Sequence, residues 1–330
     1  MKRLILLIIS GCLLLCGCWN YKEIKNFTIV MGVGIDEGKA QRYRVCVEIA
    51  AMKSGGEQVR DQAKPKVVSV EGDTVLQAIQ SITATTGGNL YFDNCKIIVL
   101  GDGICEKGIG NIVEYFVKTA YFQKNIDVAV AHNTTAEKIF SINPTNEEVV
   151  STELANSIRS TAQTSSTAMN VTPYQLYNAY KSGKGSVITA LKIEKNGQEK
   201  MIMSGGYGCF NGLKLTGYLT ENEALFYNFA KNKVSKGQLS VKVDNKVSGF
   251  EILNAKTKLN RSGELIVTAD VAAYDGTVTA TEQDINRYVK QNVKKVISKA
   301  ITDFNCNEFS FSGHVSVIGN VTVRDRRLAG

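Results

Sequence analysis

The 330-residue chain is poor in several residue types that mark common classes of protein. It has three prolines, two histidines and one tryptophan. The scarcity of proline excludes a proline-rich linker, and neither His132 nor His314 stands in a metal-binding spacing. His132 follows an expected strand, so a loop histidine is the simpler interpretation. The motifs G-x-S-x-G, H-E-x-x-H and S-x-x-K are also absent. We therefore expect no enzyme and no metal site.

Two glycine-containing segments lack the residues that would hold a phosphate. Gly183-Lys184-Gly185-Ser186 has no Lys-Ser or Lys-Thr ending, and Gly32-Val33-Gly34 is not followed by the third glycine of a dinucleotide fingerprint. Both are better interpreted as turn or bulge glycines. No cofactor is expected.

Long blocks of one charge are missing as well. Lysine and arginine number 39 against 31 acidic residues, a net charge of +8, and the two signs are interspersed. This pattern is typical of a solvated surface with some attraction to anionic headgroups, and it argues against a nucleic-acid partner.

The N-terminus has the order of a secretory signal over residues 1–17. Lys2 and Arg3 precede an apolar run from Leu4 to Leu15. A permanent membrane span needs about 20 apolar residues, and this run is shorter. We interpret it as a signal peptide that is removed on export.

The segment Leu15-Cys16-Gly17-Cys18 resembles a lipobox, which predicts that Cys18 becomes the new N-terminus and carries S-diacylglycerol and an N-acyl chain. Several acyl chains hold a protein firmly on a bilayer, since each buried CH₂ contributes about 0.8 kcal/mol. Ile9-Ser10-Gly11-Cys12 is a competing match that leaves a shorter apolar region. Ordinary secretion without a lipid is a third interpretation.

Five cysteines follow Cys18, far apart and without a C-x-x-C pair: Cys46, Cys95, Cys105, Cys209 and Cys306. Most lie in apolar strand-like runs, where a free cysteine behaves as a small hydrophobic side chain. We expect buried thiols in preference to disulfides.

Strand and helix patterns alternate over residues 18–185, which predicts an N-terminal α/β domain with a mixed sheet. Phe27–Ile35 and Tyr43–Ala51 are expected to form a hairpin. Asp73 and Thr134, the latter with Glu137, are expected helix N-caps. A helix is expected over residues 147–163, and the Ser/Thr-rich residues 161–172 are expected to form an exposed loop.

Two further units are expected. A middle domain over residues 186–247 has several strands and a helix that begins with the capping box Thr220–Glu223. A C-terminal domain over residues 248–330 has two strands, then an apolar stripe from Ile285 to Phe304 that predicts a helix packed on a sheet. The predicted fold class is thus mixed α/β, with three small domains, each a mixed sheet packed with helices.

With these residues in view, the chain resembles the Ger(x)C, or GerAC, family. Gly17-Cys18-Trp19 with Glu23-Ile24, and Gly32-Val33-Gly34-Ile35-Asp36, are similar to the family's lipobox, C-W-x-x-x-E-I and G-x-G-I-D patterns. Residues 205–210, 214–219 and Glu223 are similar to a second family block. Asn20 departs from the usual aspartate, and the C-terminal end after residue 304 is shorter than the family pattern.

The resemblance implies a non-catalytic, lipid-anchored C subunit of a spore germinant receptor. Its partners would be the receptor's integral-membrane A and B subunits. Its place would be the outer face of the spore's inner membrane, where the complex triggers germination in response to nutrients. A solute-binding lipoprotein of a transporter and a cell-envelope hydrolase are the alternatives.

Overall fold

A computed structural model describes residues 27–50, 65–145, 149–197, 199–273, 279–309, 311 and 315–324. Cys18, with the rest of the signal and lipobox, lies outside these residues, as do Cys12 and His314.

The larger of two sheets contains nine strands among the described residues. In chain order these are β1 (Phe27–Glu37), β2 (Tyr43–Ile49), β3 (Lys66–Gly72), β4 (Asn89–Tyr91), β5 (Ile97–Gly101), β6 (Asp127–Ala131), β7 (Ser186–Asn196), β8 (Glu199–Asn211) and β9 (Lys214–Leu219). The spatial order is β3-β2-β1-β5-β6-β7-β8-β9, and β4 pairs with the first residues of β1. Strands β1, β5, β6 and β7 are mutually parallel, so the carboxyl ends of these four strands lie at one edge of the sheet.

Helices cover both faces of this sheet. They are α1 (Val75–Thr86), α2 (Asp102–Lys107), α3 (Gly110–Lys118), α4 (Ala136–Phe140), α5 (Val150–Thr164) and α6 (Pro173–Lys181). Alternate residues of β5 point to opposite faces: Ile98 and Leu100 pack with residues of α1, α2, α3 and α6, whereas Ile97 and Val99 pack with residues of α4 and α5. The result is a three-layer sandwich whose central strands are buried on both sides, as is usual for parallel sheets.

The second sheet has the order β10-β11-β12-β13. Its strands are β10 (Gly237–Val243), β11 (Lys246–Leu259), β12 (Glu264–Ala273) and β13 (Ser316–Arg324), and helix α8 (Glu282–Ser298) packs on it. The apolar stripe of α8 includes Ile285, Val289 and Val293, all at 0% exposure. A single π-helical turn, Lys299–Asp303, continues α8.

Helix α7 (Glu221–Ala230) lies between the two sheets. Seven consecutive residues from Ala224 to Ala230 are buried, and they share one apolar core with Tyr207 and Cys209 of β8 and with Val267 of β12. A helix buried all round belongs to the interior of a protein. The predicted capping box is present, since Thr220 and Glu223 exchange hydrogen bonds.

The mixed α/β class is confirmed. The expected β1–β2 hairpin and the helix packed on a C-terminal sheet are present. Strands β7 to β9, from the expected middle unit, extend the first sheet, whereas β10 joins the second. The division into domains at residues 18–185, 186–247 and 248–330 stays a prediction.

Some local expectations were wrong. Thr74, one residue beyond Asp73, is the N-cap of α1, and its hydroxyl accepts from the N–H of Gln77. The expected exposed loop over residues 161–172 contains buried Ser166 and Ala168. The Ser166 hydroxyl donates to Lys236 O, so this polar side chain is satisfied internally and can be buried. Helix α6, with proline at its first position, was not expected.

Candidate functional site

The glycines of the G-x-G-I-D motif lie where helices α4 and α5 press against β1. A Cβ atom on Gly32 would lie 2.1 Å from Ser151 Oγ, and one on Gly34 would lie 2.4 Å from Cys46 Sγ. Real Cβ contacts are never that short. Glycine at these two positions therefore permits close approach of the strand to its neighbours and is not part of a phosphate loop.

Asp36, the last residue of the motif, holds the N-terminus of α4. Its carboxylate accepts hydrogen bonds from the backbone N–H groups of Ala136 at 2.7 Å and Glu137 at 2.9 Å. Burial raises the pKa of Asp36, and the two backbone hydrogen bonds partly offset this effect. The motif aspartate thus serves as a helix cap supplied from a neighbouring strand.

The expected capping box at Thr134 was wrong. Thr135 is the N-cap of α4, and the Glu137 carboxylate pairs with Arg44 and accepts from the Ser69 hydroxyl. The hydrogen bond from Arg44 outweighs partial burial and lowers the pKa of Glu137. The Glu137 side chain therefore bonds with two residues that are distant in sequence and does not complete a capping box with Thr134.

Glu48 performs the corresponding function for α5. The Glu48 side chain is buried on β2 at 1% exposure, and it accepts hydrogen bonds from the N–H groups of Val150 and Ser151, both at 2.8 Å, and from the Ser151 hydroxyl. The carboxylate satisfies unpaired N–H groups and faces the positive end of the helix dipole. This role was not predicted from the sequence. Its only signal was an acidic residue inside an apolar strand.

A small polar cluster lies at the carboxyl edge of the parallel strands. Asp102, just after β5, accepts hydrogen bonds from the Tyr218 hydroxyl and from the N–H of Asn133 at 2.9 Å. The His132 ring lies over Tyr218, with 3.7 Å between ring centroids. Burial, and then the hydrogen bond to Asp102, raise the pKa of Tyr218, so its phenol stays protonated and acts as a donor.

His132 is half-buried, and its Nδ1 atom has no hydrogen-bond partner. Burial lowers the pKa of His132 against an opposing effect of Asp102. A shallow depression of about 390 Å³ lies beside it, lined by residues 132–134 and 192–194. A second depression of about 880 Å³ lies between residues 138–145 and 193–201. Neither brings together a nucleophile, a base and an oxyanion donor as catalysis requires.

The second family block forms the contact between β8 and α7. The Tyr207 hydroxyl accepts from the side-chain amide of Asn228 at 2.7 Å, and both residues are buried. Glu223 completes the capping box and also pairs with Lys299, just after α8, at 2.7 Å. Motif residues therefore connect α7 to the first sheet and to the end of helix α8, which packs on the second.

All five cysteines downstream of the lipobox are free and buried, as expected. Cys209 on β8 is in hydrogen-bonding contact with Cys306, whose thiol donates to Ser186 O at 3.2 Å. Cys306 belongs to the segment Phe304–Phe309, which lies across β7 to β9. There Thr216 donates to Phe304 O, and Gly185 N–H donates to Asn307 O.

Within the described ranges, no group of three or more His, Cys, Asp or Glu residues is arranged to hold a metal ion. No helix in that part of the chain is long and apolar enough to cross a bilayer. The motif residues cap helices and join layers. The fold is that of a multi-layer α/β protein, and the motif residues within its described part serve its architecture.

Two models of known protein families match this chain. The model for the "Spore germination protein N-terminal domain" matches residues 20–193, and the model for the "Spore germination B3/GerAC like, C-terminal" domain matches residues 205–318. The chain belongs to the GerAC family of spore germination proteins.

Individual relatives are distant in sequence. Spore germination protein B3 of Bacillus subtilis (strain 168) is 22% identical over 92% of this chain and 86% of that protein. Spore germination protein KC of the same organism is 24% identical over 42% of this chain and 36% of that protein. The crystal structure of the GerBC protein superposes with a TM-score of 0.54 at 14% identity, covering 89% of this chain and 97% of that one. That likeness confirms the fold.

Proposed function

We propose that this protein is a lipid-anchored, non-catalytic subunit of a nutrient germinant receptor and is required for spores to begin germination. The observation that carries the proposal is the pair of family matches, over residues 20–193 and 205–318. The relatives that match are named as spore germination proteins.

The anchor is proposed at Cys18. Cys18 stands two residues before the first family match, at the end of a signal-like segment. Lipid attached at this position would tether the whole folded chain to the outer face of the spore's inner membrane. There it would be beside the integral-membrane A and B subunits that we propose as its partners.

The geometry supports a role as a scaffold better than a role in catalysis. The carboxylates of Asp36 and Glu48 are both occupied by backbone N–H groups of helices. Side chains fully engaged in capping are not available to bind or transform a substrate. We therefore propose that the subunit acts through contacts with other proteins.

The solute-binding alternative has less support. Such a protein of the two-lobed kind needs a ligand cleft between its lobes, whereas the buried helix α7 fills the space between the two sheets here. Neither surface depression lies at that position, since both are lined by residues 132–145 and 192–201.

The test compares spores that carry the native protein, a Cys18→Ala variant or a Cys12→Ala control. We expect the Cys18→Ala protein to leave the membrane fraction or be lost, with failure of nutrient-triggered germination, while Cys12→Ala behaves as native. Loss of anchoring only in the control would place the lipid on Cys12. Normal germination in spores that lack the protein entirely would overturn the receptor role.

A further inference from the structure

The edge of the first sheet where β1, β5 and β6 begin carries a set of exposed tyrosine and lysine side chains. We call this surface the amino edge, and its residues are Lys66, Tyr91, Lys96, Lys118, Tyr121 and Lys124. All six are exposed, and Tyr121 is the most exposed large apolar side chain among the described residues, at 71%.

Strand register places these residues together. Ile49 of β2 pairs with Val30 near the start of β1 and also with Lys66. Tyr91 pairs with Ile29, and the N–H of Lys96 donates to Met31 O. Lys66, Tyr91 and Lys96 therefore all lie beside the first residues of β1, where the described chain begins.

Two buried phenylalanines bring a second loop to the same place. Phe92 and Phe122 pack with their ring centroids 4.6 Å apart, and each directly follows a tyrosine, Tyr91 or Tyr121. Residues 118–125, from the last residue of α3 to the loop before β6, contain two lysines and no acidic residue. The loop therefore adds positive charge and an aromatic ring to the amino edge.

The composition of this surface matches a membrane interface. Tyrosine is enriched at the level of lipid headgroups, where its ring and hydroxyl are both accommodated. Lysines near an anionic bilayer are attracted to it within a Debye length. Among the residues that the structure describes, the acidic side chains beside the amino edge are few: Asp93 bonds with Tyr91, Glu114 pairs with Lys118, and Asp127 is buried.

The length of the tether favours the same orientation. Cys18 and Phe27 are nine positions apart, a spacing that spans at most about 30 Å when fully extended. A lipid on Cys18 therefore keeps the start of β1 near the bilayer. Exposed Arg287, Lys290 and Lys294 form another basic surface on helix α8, but this helix belongs to the second sheet and not to the strands beside the start of β1.

We propose that the amino edge is the surface of this protein that faces the bilayer and contacts anionic phospholipid headgroups. The inference rests on the proposed lipid anchor at Cys18. It orients the molecule so that the carboxyl edge, with Asp102, His132 and Tyr218, points away from the membrane.

The test uses the lipidated full-length mature protein in vesicles of phosphatidylcholine mixed with phosphatidylglycerol. Exposed lysines are acetylated briefly and mapped by mass spectrometry, with the same protein in detergent as the reference. We expect Lys96 and Lys124 to react severalfold more slowly in vesicles. Lys39 and Lys195, exposed near the carboxyl edge, should react at the same rate in both.

A matched pair of variants tests the role of charge. In Lys96→Glu/Lys124→Glu protein, the protection of Tyr121 from hydroxyl-radical oxidation in vesicles should be lost, whereas Lys39→Glu/Lys195→Glu protein should keep it. If Lys96 and Lys124 are not protected although the Cys18 peptide carries lipid, the proposed orientation is wrong but the anchor stands. Protection of Lys290 and Lys294 in place of Lys96 and Lys124 would have the same meaning. A Cys18 peptide without lipid would overturn the anchor.

Discussion

Glu48 on β2 accepts a hydrogen bond from the backbone N–H of Ser151, at 2.8 Å, across 103 positions of sequence. The same carboxylate accepts from Val150 N–H, so a buried acid in one layer of the sandwich fixes the start of helix α5 in the next. This contact connects the β1–β2 hairpin to the helix that covers it.

We expect Glu48→Ala to lower the free energy of unfolding by about 2 kcal/mol or more, because two backbone N–H groups lose their buried acceptor. Glu48→Gln keeps one acceptor oxygen and should cost less. Urea unfolding monitored by circular dichroism measures both. Glu199→Ala, at an exposed position, is the control and should change stability by less than about 0.5 kcal/mol. Equal stabilities for Glu48→Ala and the control would contradict the capping role.

Gly34 tests whether the motif glycines are required for close packing. Gly34→Ala places a methyl group 2.4 Å from Cys46 Sγ and 3.0 Å from the Cβ of Ala136, and overpacking of this kind costs about 1–3 kcal/mol. Because Cys46→Ala removes the closer atom, the double variant should recover part of the loss. The free energies of unfolding of the native protein, the two single variants and the double variant give the coupling energy between positions 34 and 46.

Gly110→Ala is the matched control for Gly34→Ala. A Cβ atom at position 110 would meet nothing closer than Leu213 at 4.0 Å, and alanine favours helix over glycine. This substitution should be neutral or stabilising. If Gly34→Ala were equally harmless, the motif glycine would have to serve something other than packing.

The strands were predicted well from sequence because their signal is local. Runs such as Ile97–Gly101 are apolar over their whole length, and burial on both faces of a parallel sheet demands that pattern. Helix α8 was predicted for the same reason, since its apolar side chains recur at helical spacing.

The contacts that cap α4 and α5 were predicted poorly because Asp36 and Glu48 are about 100 positions away from these helices in sequence. Thr134 and Glu137 have the spacing of a capping box, yet Asp36 and Arg44 from the adjacent hairpin take the available groups. Ser166 looked like a loop residue until its bond to Lys236 O was known. A single sequence does not show which strands pair, and it is this pairing that brings these groups together. The lipid site at Cys18 stays a prediction.

His132 predicts a pH dependence of stability. Burial lowers its pKa below the usual 6.5, while the nearby Asp102 opposes the shift and Lys192 adds to it. The unfolded chain therefore binds a proton at His132 more readily than the folded chain does. Stability conferred by the neutral ring is present above pH 6.5 and is lost as the pH falls from there through the lower folded-state pKa.

We expect native protein to lose more stability than a His132→Gln variant when the pH falls from about 7.5 to about 5. Urea unfolding of both proteins across this range measures the difference. The variant also removes the ring contact with Tyr218, so its stability is compared with its own value at the higher pH. Parallel pH profiles for the two proteins would show that His132 does not titrate differently on folding.

The five buried thiols should be inert in the folded protein. Burial raises the pKa of Cys46 and Cys105 well above the usual value and that of Cys95 to about 12. Contact with the Cys306 thiol, and then burial, raise the pKa of Cys209. The thiolate is the reactive form, and Cys306 is itself fully buried, at 0% exposure. We therefore expect iodoacetamide to leave all five unmodified in native protein and to modify them all in guanidinium. A Ser262→Cys variant, with its thiol in the exposed turn between β11 and β12, is the positive control and should react at once.

Two outcomes would contradict this prediction. Rapid modification of Cys306 alone would show that the segment Phe304–Phe309 detaches from the sheet in solution. A peptide linking Cys209 to Cys306 would contradict the free-thiol assignment.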